Sequence, residues 1–115
     1  MTTTVLNPGP LATIPPQVEQ GTTETIPWQI NMTGALTNVS GGSVSDPTTT
    51  FTDVTRSPAV LVTLEDPPTV LDQVFVEQII RGSVLTPGNN YELVVTFDAG
   101  GITVLSVVLK LICPL

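Results

Sequence analysis

The chain has 115 residues, with ten carboxylates against three cationic side chains, no histidine, and a formal net charge of −7 at pH 7. That length fits one domain able to bury about two-thirds of its unfolded surface without metals or disulfides. The acidity excludes nucleic acid as a direct partner, because Lys and Arg contacts to phosphate dominate that affinity.

Residues 1–22 are expected to form an extended arm or an edge strand. Pro8, Pro10, Pro15 and Pro16 withdraw amide donors and disfavour helix and central strand alike. Apolar Val5, Leu6, Leu11, Ile14 and Val18 are scattered among them. The first residues carry neither a basic n-region nor an unbroken apolar run, so no signal peptide is expected and the chain is expected to be soluble and made in a cytoplasm.

The folded domain is placed at 23–115. Its first strand is expected over 24–32, where Ile26, Trp28, Ile30 and Met32 alternate with Thr25, Pro27, Gln29 and Asn31. Trp28, the only tryptophan, is the expected core anchor. Gly34 ends that strand. A weaker second strand is expected over 36–44, with Gly41-Gly42 as a bulge inside it, and Ser45-Asp46-Pro47 as a turn. Short β-prone runs follow over 48–55 and 59–64 around Ser57-Pro58, and Glu65-Asp66-Pro67-Pro68 reads as a connection. The run 70–81 is rich in β-branched and aromatic residues and is expected to be strand. Residues 82–90 are expected to be a loop or short strand closed by Pro87-Gly88.

The clearest signal comes next. Tyr91, Leu93, Val95 and Phe97 fall on one face and Glu92, Val94, Thr96 and Asp98 on the other, after which Gly100-Gly101 lets the chain reverse into a last strand over 102–112. On that last strand Leu105, Val107, Leu109 and Leu111 can face a core. The opposite parity, Ile102, Val104, Val108 and Ile112, is apolar as well. A strand with one solvated face would carry polar residues there, so cover is expected either from the arm or from a neighbouring subunit. Val5, Leu6, Leu11, Ile14, Val18, Ile102, Val104, Val108 and Ile112 are therefore the candidate interface residues.

No cluster is equipped for chemistry. The missing histidine removes the commonest general base, and the lone Cys113 excludes an internal disulfide and has only Lys110 as a nearby cation. It reads as a small apolar residue ending a strand. Glu65, Asp66, Asp46, Asp53, Asp72 and Asp98 read as solvated or locally bonded loop carboxylates, with a calcium site on the rim as the alternative. No EF-hand, zinc or phosphate-loop spacing is present, so no enzyme, cofactor or metal is expected. Asn31-Met32-Thr33 and Asn38-Val39-Ser40 read as chance sequons. The last strand is about half the ~20 apolar residues a membrane helix needs.

The order Ile14-Pro15-Pro16-Gln17, Glu24-Thr25-Ile26-Pro27-Trp28, Ser45-Asp46-Pro47 and Pro87-Gly88-Asn89-Asn90-Tyr91 resembles the small immunoglobulin-like β-sandwich proteins encoded among the structural genes of tailed bacteriophages. The resemblance implies an all-β, antiparallel sandwich of about seven strands in which Tyr91 is a corner tyrosine tied to the preceding connection. It also implies a non-enzymatic virion component. A capsid decoration (cement) protein is the first expectation, homo-oligomeric within the assembly and partnered by other virion proteins such as a major capsid protein. Neck, tail or fibre components, or a carbohydrate- or receptor-recognition module, are the alternatives. A recognition module needs exposed aromatics, for which Phe51 and Phe75 are the candidates.

Overall fold

Strict alternation gives the segment after Asn90 one dry face, and that face organises the molecule. The computed structural model describes residues 5–6, 17–36, 42–100 and 103–115. Among these, nine strands form: β1 (Val5–Leu6), β2 (Gln17–Glu19), β3 (Thr25–Asn31), β4 (Val44–Asp53), β5 (Val60–Val62), β6 (Thr69–Leu71), β7 (Phe75–Arg81), β8 (Asn90–Ala99) and β9 (Thr103–Ile112). They make a four-stranded sheet in the order β1-β3-β7-β6 and a five-stranded sheet in the order β2-β9-β8-β4-β5. All pairings are antiparallel except β1 on β3 and β2 on β9. The expected all-β, two-sheet sandwich is present.

Inward residues of both sheets build a single core. Ile26, Trp28 and Ile30 of β3 and Val76 and Ile80 of β7 meet Phe51 of β4, Leu93, Val95 and Phe97 of β8, and Leu109 and Leu111 of β9, all of them buried. Burial of such side chains, roughly 1.5–3 kcal/mol each, is the main favourable term holding the sheets together. Tyr91 opens β8 with its ring stacked on Phe51, centroids 5.1 Å apart and planes within 8°. Its hydroxyl accepts the Thr86 N–H at 2.7 Å, so the expected tie to the preceding connection is made.

Several expectations are corrected. Leu36 lies in a turn and is buried, not in a strand, and residues 37–41, with the Gly41 half of the expected bulge, lie outside the described residues. Ser45-Asp46-Pro47 is no turn: β4 runs through it, and the register with β8 slips between Ser45 and Thr48. A bulge accommodates what a regular ladder could not, the positive φ of Asp46 (49°) and the missing amide of Pro47. The segment 70–81 is strand at both ends but reverses at Asp72-Gln73-Val74, where Asp72 and Gln73 have φ of 49° and 64°. Residues 82–89 follow the loop alternative, with a short 3-10 helix (Gly82–Val84) inside it, and Asn90 already opens β8. Gly82 is fixed by close approach: its N–H donates to the Glu24 carbonyl at 2.7 Å, and a Cβ there would overlap the Thr22 carbonyl.

The first strands belong to the sheets. β1 joins the four-stranded sheet beside β3, and β2 joins the five-stranded sheet beside β9. The four prolines of the expected arm fall between β1 and β2 in the chain, at residues outside those described.

Candidate interface

Side chains at paired positions of neighbouring strands stand on the same side of a sheet. Register therefore lays out the outer face of the five-stranded sheet in rows: Thr52, Glu92, Lys110 and Gln17; Thr50, Val94 and Val108; Thr48, Thr96 and Ser106; then Asp98 and Val104. The Thr96 and Ser106 hydroxyls lie 2.9 Å apart. Threonine and valine dominate this surface, and Val104 is 62% exposed.

Three of the candidate interface residues come together here, Val104, Val108 and Ile112, on the outward parity of β9. Val18 does not join them. It stands opposite the inward Leu111 and packs on the core. The backbone of Val5 and Leu6 pairs with Gln29 and Ile30 in the other sheet, while Leu11, Ile14 and Ile102 lie outside the described residues. β2 sits in the plane of the sheet at the edge of β9, not over its outer face.

The interior holds polar residues that periodicity alone does not reveal. Gln20 is buried, accepts the Trp28 indole N–H at 2.7 Å, and donates to the carbonyls of Ile80 (2.7 Å) and Glu24 (3.0 Å). Gln78 stands between Val76 and Ile80 on the inward parity of β7. It accepts the Thr49 hydroxyl from the facing sheet at 2.7 Å and donates to the Asp66 and Ile79 carbonyls. A signal existed for each: an indole N–H in a core needs an acceptor, and a glutamine at core parity needs partners. Among the described residues no buried side-chain nitrogen or oxygen lacks a hydrogen bond.

The carboxylates serve the framework. Asp53 is buried, accepting the Thr55 N–H at 3.0 Å and the Asn89 amide at 2.8 Å, with Arg56 3.8 Å away. Burial pushes its carboxyl up, but the hydrogen bonds from Thr55 and Asn89, aided by the Arg56 charge, together outweigh it and leave the pKa below the ordinary carboxylate range. Arg81 grips Asp66 with two bonds of 2.9 and 3.1 Å and reaches Glu65 at 3.2 Å, anchoring the crossing from β5 to β6. Those bonds to Asp66 raise its already high pKa. Among the described residues no three His, Cys, Asp or Glu side chains gather as a metal site. Cys113 is buried, and burial raises its thiol pKa.

Phe51, expected as a possible stacking platform, is only 1% exposed and belongs to the core. Phe75 is half-buried. An open groove of about 580 Å³ runs between β4 and the β5-to-β6 crossing, walled by Thr48, Thr50, Leu61, Leu64, Pro67 and Pro68 without an exposed ring. Comparison with protein-family models, with curated proteins and with solved structures finds no match to the chain.

Proposed function

We propose that this chain is an immunoglobulin-like sandwich serving as a non-enzymatic structural component of a phage virion, in the first place a capsid decoration protein, which joins neighbouring virion proteins through β9 and the outer face of the five-stranded sheet. Two features support the finer fold reading. The opening segment contributes one strand to each sheet, and the strand order leaves β9, β8, β4 and β5 in one sheet with β3, β7 and β6 in the other. The Tyr91 hydroxyl bonded to the Thr86 amide is the corner that such sandwiches place at the start of the equivalent strand.

One observation carries the structural role. The middle of the outer face of the five-stranded sheet is mostly threonine and valine, with Glu92, Lys110 and Asp98 toward its ends and Val104 62% exposed, whereas Gln20, Gln78, Asp53 and Arg81 are all bonded within the framework. A surface of that kind suits lasting protein contact better than capture of a polar ligand. Mass spectrometry and electron cryomicroscopy of gradient-purified particles test the reading. Stoichiometric copies, with this sheet against a neighbouring chain, are expected; absence of the chain from the particles would overturn it.

A further inference from the structure

We infer that β9 is a self-pairing edge: two copies of this chain join by antiparallel strand addition about a twofold axis at Ser106, making one continuous sheet across the dimer. This rests on the reading of β9 as a contact surface and names its first partner. β2 pairs with β9 only from Lys110 to Ile112. Among the described residues no strand pairs with 103–109 on the side away from β8.

The direction of the backbone groups can be assigned. The Gln20 N–H donates to the Ile112 carbonyl at 3.1 Å, and the Cys113 N–H donates to the Asn89 carbonyl at 3.0 Å. Even-numbered residues of β9 thus turn their amide and carbonyl toward the β2 side, and odd-numbered ones toward β8. Val104, Ser106 and Val108 consequently present three donors and three acceptors along an edge that no described strand covers. Pro16, which directly precedes β2 and shares the even parity that Gln20 turns toward β9, carries no amide hydrogen.

Open edges are normally guarded by charge, proline, a bulge or brevity. β5 and β6 are three residues long, but 103–109 holds neither charge nor proline and pairs with β8 without a register shift. A second copy fits it in three respects. An axis through Ser106 sets Val104 against the partner's Val108 and Ser106 against the partner's Ser106, and all three edge residues face groups of matching direction, closing six backbone hydrogen bonds. The bonded span, 104–108, stops short of Lys110, where the pairing with β2 begins. Charge agrees too: in a chain of net charge −7 the last acidic side chain is Asp98, so two copies can meet along β9 without opposing acidic side chains on the paired strands.

Sedimentation velocity on the isolated protein tests this, with thermal unfolding as the control for folding. Wild type should run at twice the 12.1 kDa chain mass. Ser106→Pro removes an amide that β8 does not use, and should give a folded monomer. Val104→Lys with Val108→Lys sets like charges opposite each other across the axis and should do the same from the exposed side. Ser106→Cys should form an intermolecular disulfide under mild oxidation, because hydrogen-bonded antiparallel partners have Cα atoms about 5.5 Å apart, within disulfide reach. A wild-type monomer at every concentration, or a dimer that survives both the proline and the lysine changes, overturns the inference. Particles that carry the chain while it is monomeric in solution sink this pairing alone, and a dimer missing from particles sinks the virion role alone.

Discussion

Trp28 depends on Gln20 for more than contact. The indole N–H ends on one buried glutamine that also donates to the Ile80 and Glu24 carbonyls, so its loss leaves the indole without an acceptor, while the Glu24 carbonyl keeps the Gly82 N–H. Gln20→Leu should lower unfolding free energy by about 1–3 kcal/mol per group left unpaired, read from urea midpoints, while tryptophan fluorescence still reports a buried ring. An unchanged midpoint would mean that water or another side chain takes over. Asp53 makes the equivalent prediction in pH. Its folded pKa lies below the unfolded value, so its contribution is present above the unfolded pKa and is lost as pH falls through the folded one. Asp53→Asn would turn an amide toward the Asn89 amide donor and should destabilise at neutral pH. The gap to wild type should close below about pH 4, near the ordinary carboxyl pKa. At this scale Trp28 and Tyr91 were legible because large side chains at core parity have few alternatives. Gln20 was legible only by half: the Trp28 indole N–H calls for an acceptor, but nothing local marks a polar residue before a turn as that acceptor. Phe51 was misjudged because the Asp46-Pro47 bulge upstream hides which face of β4 is inward.

Elements were legible where one periodicity ran without interruption. β8 and β9 pair from Asn90 against Ile112 to Ala99 against Thr103 with no slip, as the alternation and Gly100-Gly101 implied. The reversal between β6 and β7 was hidden for the opposite reason: Asp72 and Gln73 take the left-handed conformation without glycine to announce it. That turn is structurally engaged, because the Gln73 carbonyl accepts the Val44 N–H at 2.7 Å and the Val74 carbonyl accepts the Met32 N–H at 2.8 Å. An ordinary side chain held there costs about 1–2 kcal/mol, against about 0.5–1 kcal/mol of extra chain entropy that glycine would lose on folding. Gln73 is exposed. Gln73→Gly should therefore stabilise the domain by up to about 1 kcal/mol, seen as a higher urea midpoint with unchanged slope. A lower midpoint would show that the side chain itself holds the reversal.

Across the whole molecule, framework begins earlier in the chain than an arm of residues 1–22 suggests. Composition sets residues 1–22 apart as proline-rich, yet Val18 packs on the core, β2 closes the end of β9, and Gln20 holds Trp28 to β7. Truncation can separate these roles. Removing residues 1–16 keeps β2 and Gln20 while taking away β1, Leu11 and Ile14, and should leave a cooperatively folding domain. Removing residues 1–20 also strips the acceptor of the indole N–H and the donor to Ile80, and should cost at least about 1–3 kcal/mol more. Thermal unfolding of the two truncations side by side checks that difference, and equal midpoints would contradict the role given to Gln20. Incorporation into particles then asks what the first segment does. If its apolar residues seat the protein on a neighbour, the shorter truncation should stay folded and dimeric through Ser106 but no longer reach full occupancy, because the entropy of ordering an extended segment, about 1–2 kcal/mol per residue, is recovered only against a partner surface. Full occupancy without residues 1–16 would leave attachment to the Val104, Val108 and Ile112 face alone.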